Sequence, residues 1–126
     1  MIEVLNYIRD IVCEQLALEY EYGEMTKSPP TYPYWVGELS DSGTLSEDGK
    51  MEVTVILNGF ARGSRLQFEE EKAAIREFFR HGTQTIAGDV PVLICAEYGG
   101  CSDIDTDDDD LKRCQITINI NYWKGS

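Results

Sequence analysis

Residues that carry chemistry are scarce in this chain. Its 126 residues include one histidine, His81. A Ser-His-Asp or Cys-His arrangement would have to be built around that one imidazole, and no G-x-S-x-G elbow accompanies it. Gly59, Gly63, Gly99 and Gly100 form neither a Walker loop nor a dinucleotide fingerprint, so phosphate cradling has no sequence basis. These glycines read as turn and strand-end residues. The four cysteines, Cys13, Cys95, Cys101 and Cys114, give no C-x-x-C pair of the zinc or redox kind. The sequence therefore argues against an enzyme, with no catalytic residue, no cofactor and no metal site expected.

Positive charge is scarce as well. Eleven Lys and Arg stand against 23 Asp and Glu, a formal net charge of -12. Tight binding to a nucleic-acid backbone needs clustered cations that neutralise phosphates, and this balance excludes it. Charge of that size also makes copies repel, so an assembly must segregate its acids. Long apolar runs are missing: nothing approaches the roughly 20 residues of a membrane-spanning helix. Met1 to Leu16 is interrupted by Glu3, Arg9, Asp10 and Glu14, unlike a signal peptide. The expectation is a cytoplasmic protein with no membrane partner and reduced thiols. Cys95 and Cys114 are the one pair expected to be able to face each other across a hairpin.

What is present is periodic. Ile2, Leu5, Ile8, Val12 and Leu16 recur at helical spacing, widened by Val4 and Ile11. Gly23, Ser28, Pro29, Pro30 and Pro33 then exclude regular structure. Tyr34 to Leu39 and Met51 to Phe60 alternate as strands, the second with Met51, Val53, Val55 and Leu57 on one face. Ser40 to Lys50 is a polar connection, long for a hairpin. Ser64 and Gln67 have capping-box spacing ahead of Glu69 to Glu71. The helix they open carries Leu66, Phe68, Ile75, Phe78 and Phe79 on its apolar side and stops at Gly82. Val90 to Tyr98 and Cys114 to Trp123 alternate strongly and close the chain. The pattern predicts a single α+β domain over residues 1–126: a mostly antiparallel four-stranded sheet with two helices packed on one face, in the order α-β-β-α-β-β.

Between the last two strands lies the densest feature of the sequence. The loop from Gly99 to Arg113 carries Asp103, Asp105, Asp107, Asp108, Asp109 and Asp110 before its first base, Lys112. Asp103, Asp105 and Asp107 alternate as the first calcium-loop ligands do, but Asp108 stands in place of the turn glycine and Cys114 in place of the bidentate glutamate. A metal site is therefore not expected, and the loop reads as a solvated tip or a partner contact. His81 falls in the last turn of the second helix, where its partial charge suits the helix dipole. Trp35 and Trp123 are candidate subunit contacts, because aromatics are enriched in interface cores. Arg62 and Arg65, flanking Gly63 in an acidic chain, are candidates for bridging a neighbour's acidic loop.

One family likeness follows from the order of these elements. The amphipathic first helix, the Pro-rich turn, the opening Tyr32-Pro33-Tyr34-Trp35-Val36-Gly37-Glu38, the helix Leu66 to Phe79 and the closing Ile116-Thr117-Ile118-Asn119-Ile120 together resemble the tail terminator, or tail completion, proteins of long-tailed bacteriophages and defective prophages. The resemblance implies a virion structural protein without catalytic residues. It would form a ring, a hexamer, on the finished tail tube and take part in head-tail joining. Its partners would be its own copies, paired through sheet edges and the first helix, together with the tail tube protein and the head connector protein. It would reside in the host cytoplasm during assembly and in the virion tail afterwards. Acidic loops turned into the lumen would let DNA slide past. The alternative reading is an acidic DNA-mimic inhibitor of a host nucleic-acid enzyme, with the Asp loop as its active surface. A third is a small-ligand binder with a pocket between helices and sheet.

Overall fold

A computed structural model describes residues 2–45, 49–63, 65–87 and 92–124. The alternating segments form strands longer than their apolar cores. They are β1 (Tyr20–Tyr22), β2 (Tyr34–Leu45), β3 (Lys50–Arg62), β4 (Thr83–Ala87), β5 (Val92–Ile104) and β6 (Leu111–Lys124). They make one six-stranded sheet in the order β1-β2-β3-β6-β5-β4, curled into a half-barrel. All neighbours are antiparallel except β1 and β2, which run parallel.

This overturns the expected four-stranded antiparallel sheet in the order α-β-β-α-β-β. β1 is three residues, Tyr-Glu-Tyr, too short to show alternation, and β4 is a Thr-rich stretch with one large apolar residue. Both are held by pairing with a longer neighbour, a tertiary effect that local pattern does not report.

Parity decides which side is buried. Register places Val53 opposite Ile120, Val55 opposite Ile118, Leu57 opposite Ile116 and Gly59 opposite Cys114, all buried. Ile94 and Ala96 of β5 join the same face. The opposite face is polar at its centre. Asn58 Nδ2 donates to Glu38 Oε1 at 3.1 Å, and Gln115 Nε2 donates to Asn58 Oδ1 at 3.0 Å, a chain across β2, β3 and β6. That pairing satisfies Asn58, which is a buried polar side chain.

The first helix fills the hollow. α1 (Ile2–Arg9) continues as a π-helical stretch, Asp10–Gln15, closed by Leu16 N–H donating to Ile11 O. Val4, Ile8, Ile11 and Val12 are completely buried by it. Tyr7 Oη donates to Thr83 Oγ1 of β4 at 2.7 Å, and Cys13 Sγ reaches Tyr20 O of β1, so this segment touches both end strands. α2 (Arg65–Phe79) contributes Phe68, Ile75 and Phe79, while Leu66, expected on the apolar side, is exposed. The predicted cap Ser64 lies outside the described residues.

Trp35 is wholly buried here, its indole tilted against Phe68 at 5.6 Å between ring centroids. Gly59 makes the room. A Cβ there would lie 2.6 Å from Trp35 Cζ3 and 2.9 Å from Phe68 Cε1. Gly59 is thus a mid-strand spacer for the indole, and its reading as a turn or strand-end residue is corrected.

Candidate functional site

The long strands β5 and β6 carry the Asp-rich hairpin, and its tip is only residues 105–110 because Asp103 and Ile104 are still paired, with Cys114 and Arg113. The tip is an ordered turn. Leu111 N–H donates to Asp108 O at 3.0 Å, and Asp110 N–H donates to Asp108 Oδ1 at 3.0 Å, the local side-chain turn that Asp favours. Thr106 Oγ1 lies 2.7 Å from Asp108 O and 2.8 Å from Leu111 O, tying the two sides together.

Two cations fix the hairpin to the body. β3 pairs with β6 as far as Arg62 opposite Leu111, which delivers Arg62 to the tip. Its Nη1 is 2.7 Å from Asp108 Oδ2 and 3.7 Å from Asp110 Oδ2. Hydrogen bonding to Arg62 holds the Asp108 carboxyl below its usual value. From α2, Lys72 Nζ contacts Asp103 Oδ1 at 3.0 Å and Glu69 Oε1 at 2.8 Å. Burial pulls the Lys72 amine down, but hydrogen bonds to those carboxylates push it up by more, and the net shift is upward.

Three carboxylates remain uncommitted. Asp105, Asp107 and Asp109 are exposed and have no cationic side chain within salt-bridge distance among the described residues. Beside them are Arg65 and Lys112, likewise without a carboxylate partner among the described residues; Lys112 Nζ donates to Asp109 O at 3.0 Å. An open cleft of about 310 Å³ separates the hairpin from α2, lined by Arg65, Lys72, Asp103, Asp105, Asp109 and Lys112 among others. Both signs of charge thus meet at one end of the sheet.

The outward side of this end is a stack of rings and guanidiniums. Arg113 lies 5.3 Å over Phe60, Phe60 stacks on Tyr34 at 4.9 Å, Tyr34 meets Tyr32 at 5.3 Å, and Arg62 lies 5.7 Å from the Tyr32 centroid. Cation–π attraction holds both guanidiniums on the sheet surface. Of these residues the sequence singled out Arg62. Phe60 and Arg113 were missed, although strand parity puts them face to face.

The remaining expected positions fare differently. Trp35, expected at a subunit contact, belongs to the chain's own core, where Nε1 donates to Glu71 Oε1 at 2.9 Å. Trp123 is half-buried on the outward face, in one row with Leu93 and Ile86 across β6, β5 and β4. Cys95 pairs with Asn121 and Cys114 with Asp103, so the two thiols occupy opposite faces and the expected facing pair does not form. His81 is exposed in the turn beyond α2 rather than in its last turn. Among the described residues, no group of three or more His, Cys, Asp and Glu is placed to hold a metal ion, and no helix is long and apolar enough to cross a membrane.

No protein-family profile matches this chain, and no curated protein matches it.

Proposed function

We propose that this chain is a ring-forming structural protein of a phage or prophage tail, of the tail terminator or completion type. It caps the tail tube as a hexamer and offers a surface to the head connector. The observation that carries this reading is the split of charge at the hairpin end. Among the described residues, Asp105, Asp107 and Asp109 have no cationic partner, on a hairpin that Arg62 and Lys72 hold to the body, and Arg65 and Lys112 beside them have no carboxylate partner. Identical copies joined head to tail close into a ring when the rotation permits. In such a ring the acids of one copy meet the bases of the next, which relieves the repulsion that a net charge of -12 imposes. Carboxylates left over in the lumen repel phosphates, so DNA passes without sticking.

The test is mass spectrometry of gradient-purified particles from the source strain after prophage induction. The expected result is this chain travelling with the tail proteins at a few copies per particle. Recovery only in the soluble fraction, alongside particles rich in other tail proteins, overturns the proposal.

A further inference from the structure

Two of the four thiols lie against each other. Register places Cys101 of β5 opposite Ile116 of β6 and Asp103 opposite Cys114. Residues that face each other across a ladder share a side of the sheet, so Cys101 and Cys114 are diagonal neighbours on the side that carries Ile116 and Ile118. Cys114 Sγ–H is placed to donate to the Cys101 sulfur. The other two thiols are elsewhere: Cys95 is on the opposite face, and Cys13 reaches Tyr20 O of β1.

The pair is asymmetric in access. Cys101 is exposed, whereas Cys114 is completely buried. Lys72 of α2 reaches the same place: its ammonium contacts Asp103, the residue opposite Cys114, and favours the thiolate of both cysteines. Burial pushes the Cys101 thiol up, with Asp103 and Glu69 adding to it, while the hydrogen bond from Cys114 and the charge of Lys72 pull it down. Cys114 rises to about 12 through burial and through Cys101 itself. Cys101 is therefore the sulfur that ionises first and the one that a dissolved disulfide can reach.

The backbone permits a bridge between them. Diagonal neighbours have Cα atoms roughly 7–8 Å apart, at the outer limit for a disulfide. Next to Cys101, β5 shifts register between Tyr98 and Gly100, and Gly100 sits at φ +134°. A bulge raises local twist and bends its strand, so β5 can close the remaining distance while the ladder on either side stays paired.

We propose that Cys101 and Cys114 form a thiol–disulfide exchange site for small peptide disulfides such as oxidised glutathione, whose product is a cross-strand bridge at the base of the Asp-rich hairpin. This stands apart from the ring reading. The Cys101 thiolate attacks one sulfur of the small disulfide, forming a mixed disulfide and releasing one thiolate, which takes up the proton that Cys101 gave up. Capping Cys101 removes the charge and the acceptor that raise Cys114. Cys114 then loses its proton and attacks Cys101 Sγ, expelling the second small thiolate, which takes that proton up. Two protein thiols are oxidised to one disulfide, and one small disulfide is reduced to two thiols. The bridge closes the turn that carries Asp105, Asp107 and Asp109 into a covalent loop.

The experiment treats the folded full chain with oxidised glutathione, follows its intact mass, and maps the bridge by proteolysis without reduction. The expected result is loss of two hydrogens with no lasting adduct, a linked Cys101–Cys114 peptide pair, and slower amide exchange at residues 105–110 than in the reduced chain. Cys114→Ala and Cys114→Ser, checked for folding by circular dichroism, should both stop at the mixed disulfide on Cys101. A lasting glutathione adduct on Cys101 of the native chain, a bridge to Cys13 or Cys95, or four unreacted thiols overturns the proposal. These native-chain outcomes decide it whether or not either variant folds.

Discussion

Arg62 Nη1 lies 2.7 Å from Asp108 Oδ2, joining the end of β3 to the tip of the β5–β6 hairpin across 46 positions of chain. Arg62, a candidate for bridging a neighbour's acidic loop, thus pairs with the acidic loop of its own chain. The contact commits the arginine to holding the turn, so that Arg65, the first residue of α2, and Lys112 are the nearby cations without a carboxylate partner among the described residues.

The two arginines should consequently separate under mutation. Arg65→Glu is expected to block assembly while leaving the hairpin as it is, because its exposed side chain has no carboxylate partner to lose among the described residues. Arg62→Glu should loosen residues 105–110 first. Light scattering reads the assembly and amide hydrogen exchange reads the turn. Equal loss of hairpin protection in both variants contradicts the assignment.

The same contact predicts a pH response. Arg62 lowers the folded-state pKa of Asp108 below its unfolded value. Its contribution to stability is thus present above the unfolded value and is lost as pH falls through the depressed folded one. In a carboxyl-carbon NMR titration, Asp108 should take up its proton at lower pH in the native chain than in Arg62→Ala. Coincident titration curves would mean that Arg62 does not hold the Asp108 carboxylate.

Glu71 runs the other way. Burial raises its pKa, with hydrogen bonds from the Trp35 indole and Gln67 opposing. A folded value above the unfolded one gives relative stability below the unfolded pKa that disappears as pH rises through the folded pKa. Glu71→Gln keeps an oxygen to accept from Trp35 and should abolish that slope without moving the indole N–H resonance. A slope that survives in urea titrations across this range assigns the effect to another carboxylate.

Gly59→Ala tests the core beneath the site. Its new Cβ meets Trp35 and Phe68 at under 3 Å, with buried side chains on every side. Overpacking of this kind costs about 1–3 kcal/mol. A urea midpoint unchanged from the native chain would mean that the indole shifts freely.

Thiol chemistry provides an independent check on the register. Burial pushes Cys114 up to about 12, and Cys95 lies on the other face of the sheet. Alkylation followed by mass spectrometry should modify Cys114 last and only on unfolding, and mild oxidation should give no Cys95–Cys114 disulfide. Finding that disulfide in folded protein contradicts the strand pairing.

Much of this fold can be read from the sequence wherever burial writes a period. Val53, Val55 and Leu57, and Ile116, Ile118 and Ile120, alternate because one face of each strand is dry. Helix α2 is legible from Phe68, Ile75 and Phe79. β1 and β4 are not, since three residues carry no period and Thr-Gln-Thr is held by tertiary contacts, the strand beside it and Tyr7. Trp35 was misplaced for a related reason: its burial depends on Gly59, 24 positions away in sequence and directly opposite in the sheet. At the candidate site, the carboxylates were plain from composition. The cations that hold them arrive from β3 and α2 through tertiary packing, a fact no local pattern records.

The proposed function puts copies of this chain in a ring at the end of a phage tail tube. Gold labelling of a tagged chain on induced particles, viewed by electron microscopy, tests it most directly. The expected result is label at the head-proximal end of the tube, one cluster per tail, with sixfold end views from the purified protein. Label along the tube, on the capsid, or absent from every intact particle contradicts it.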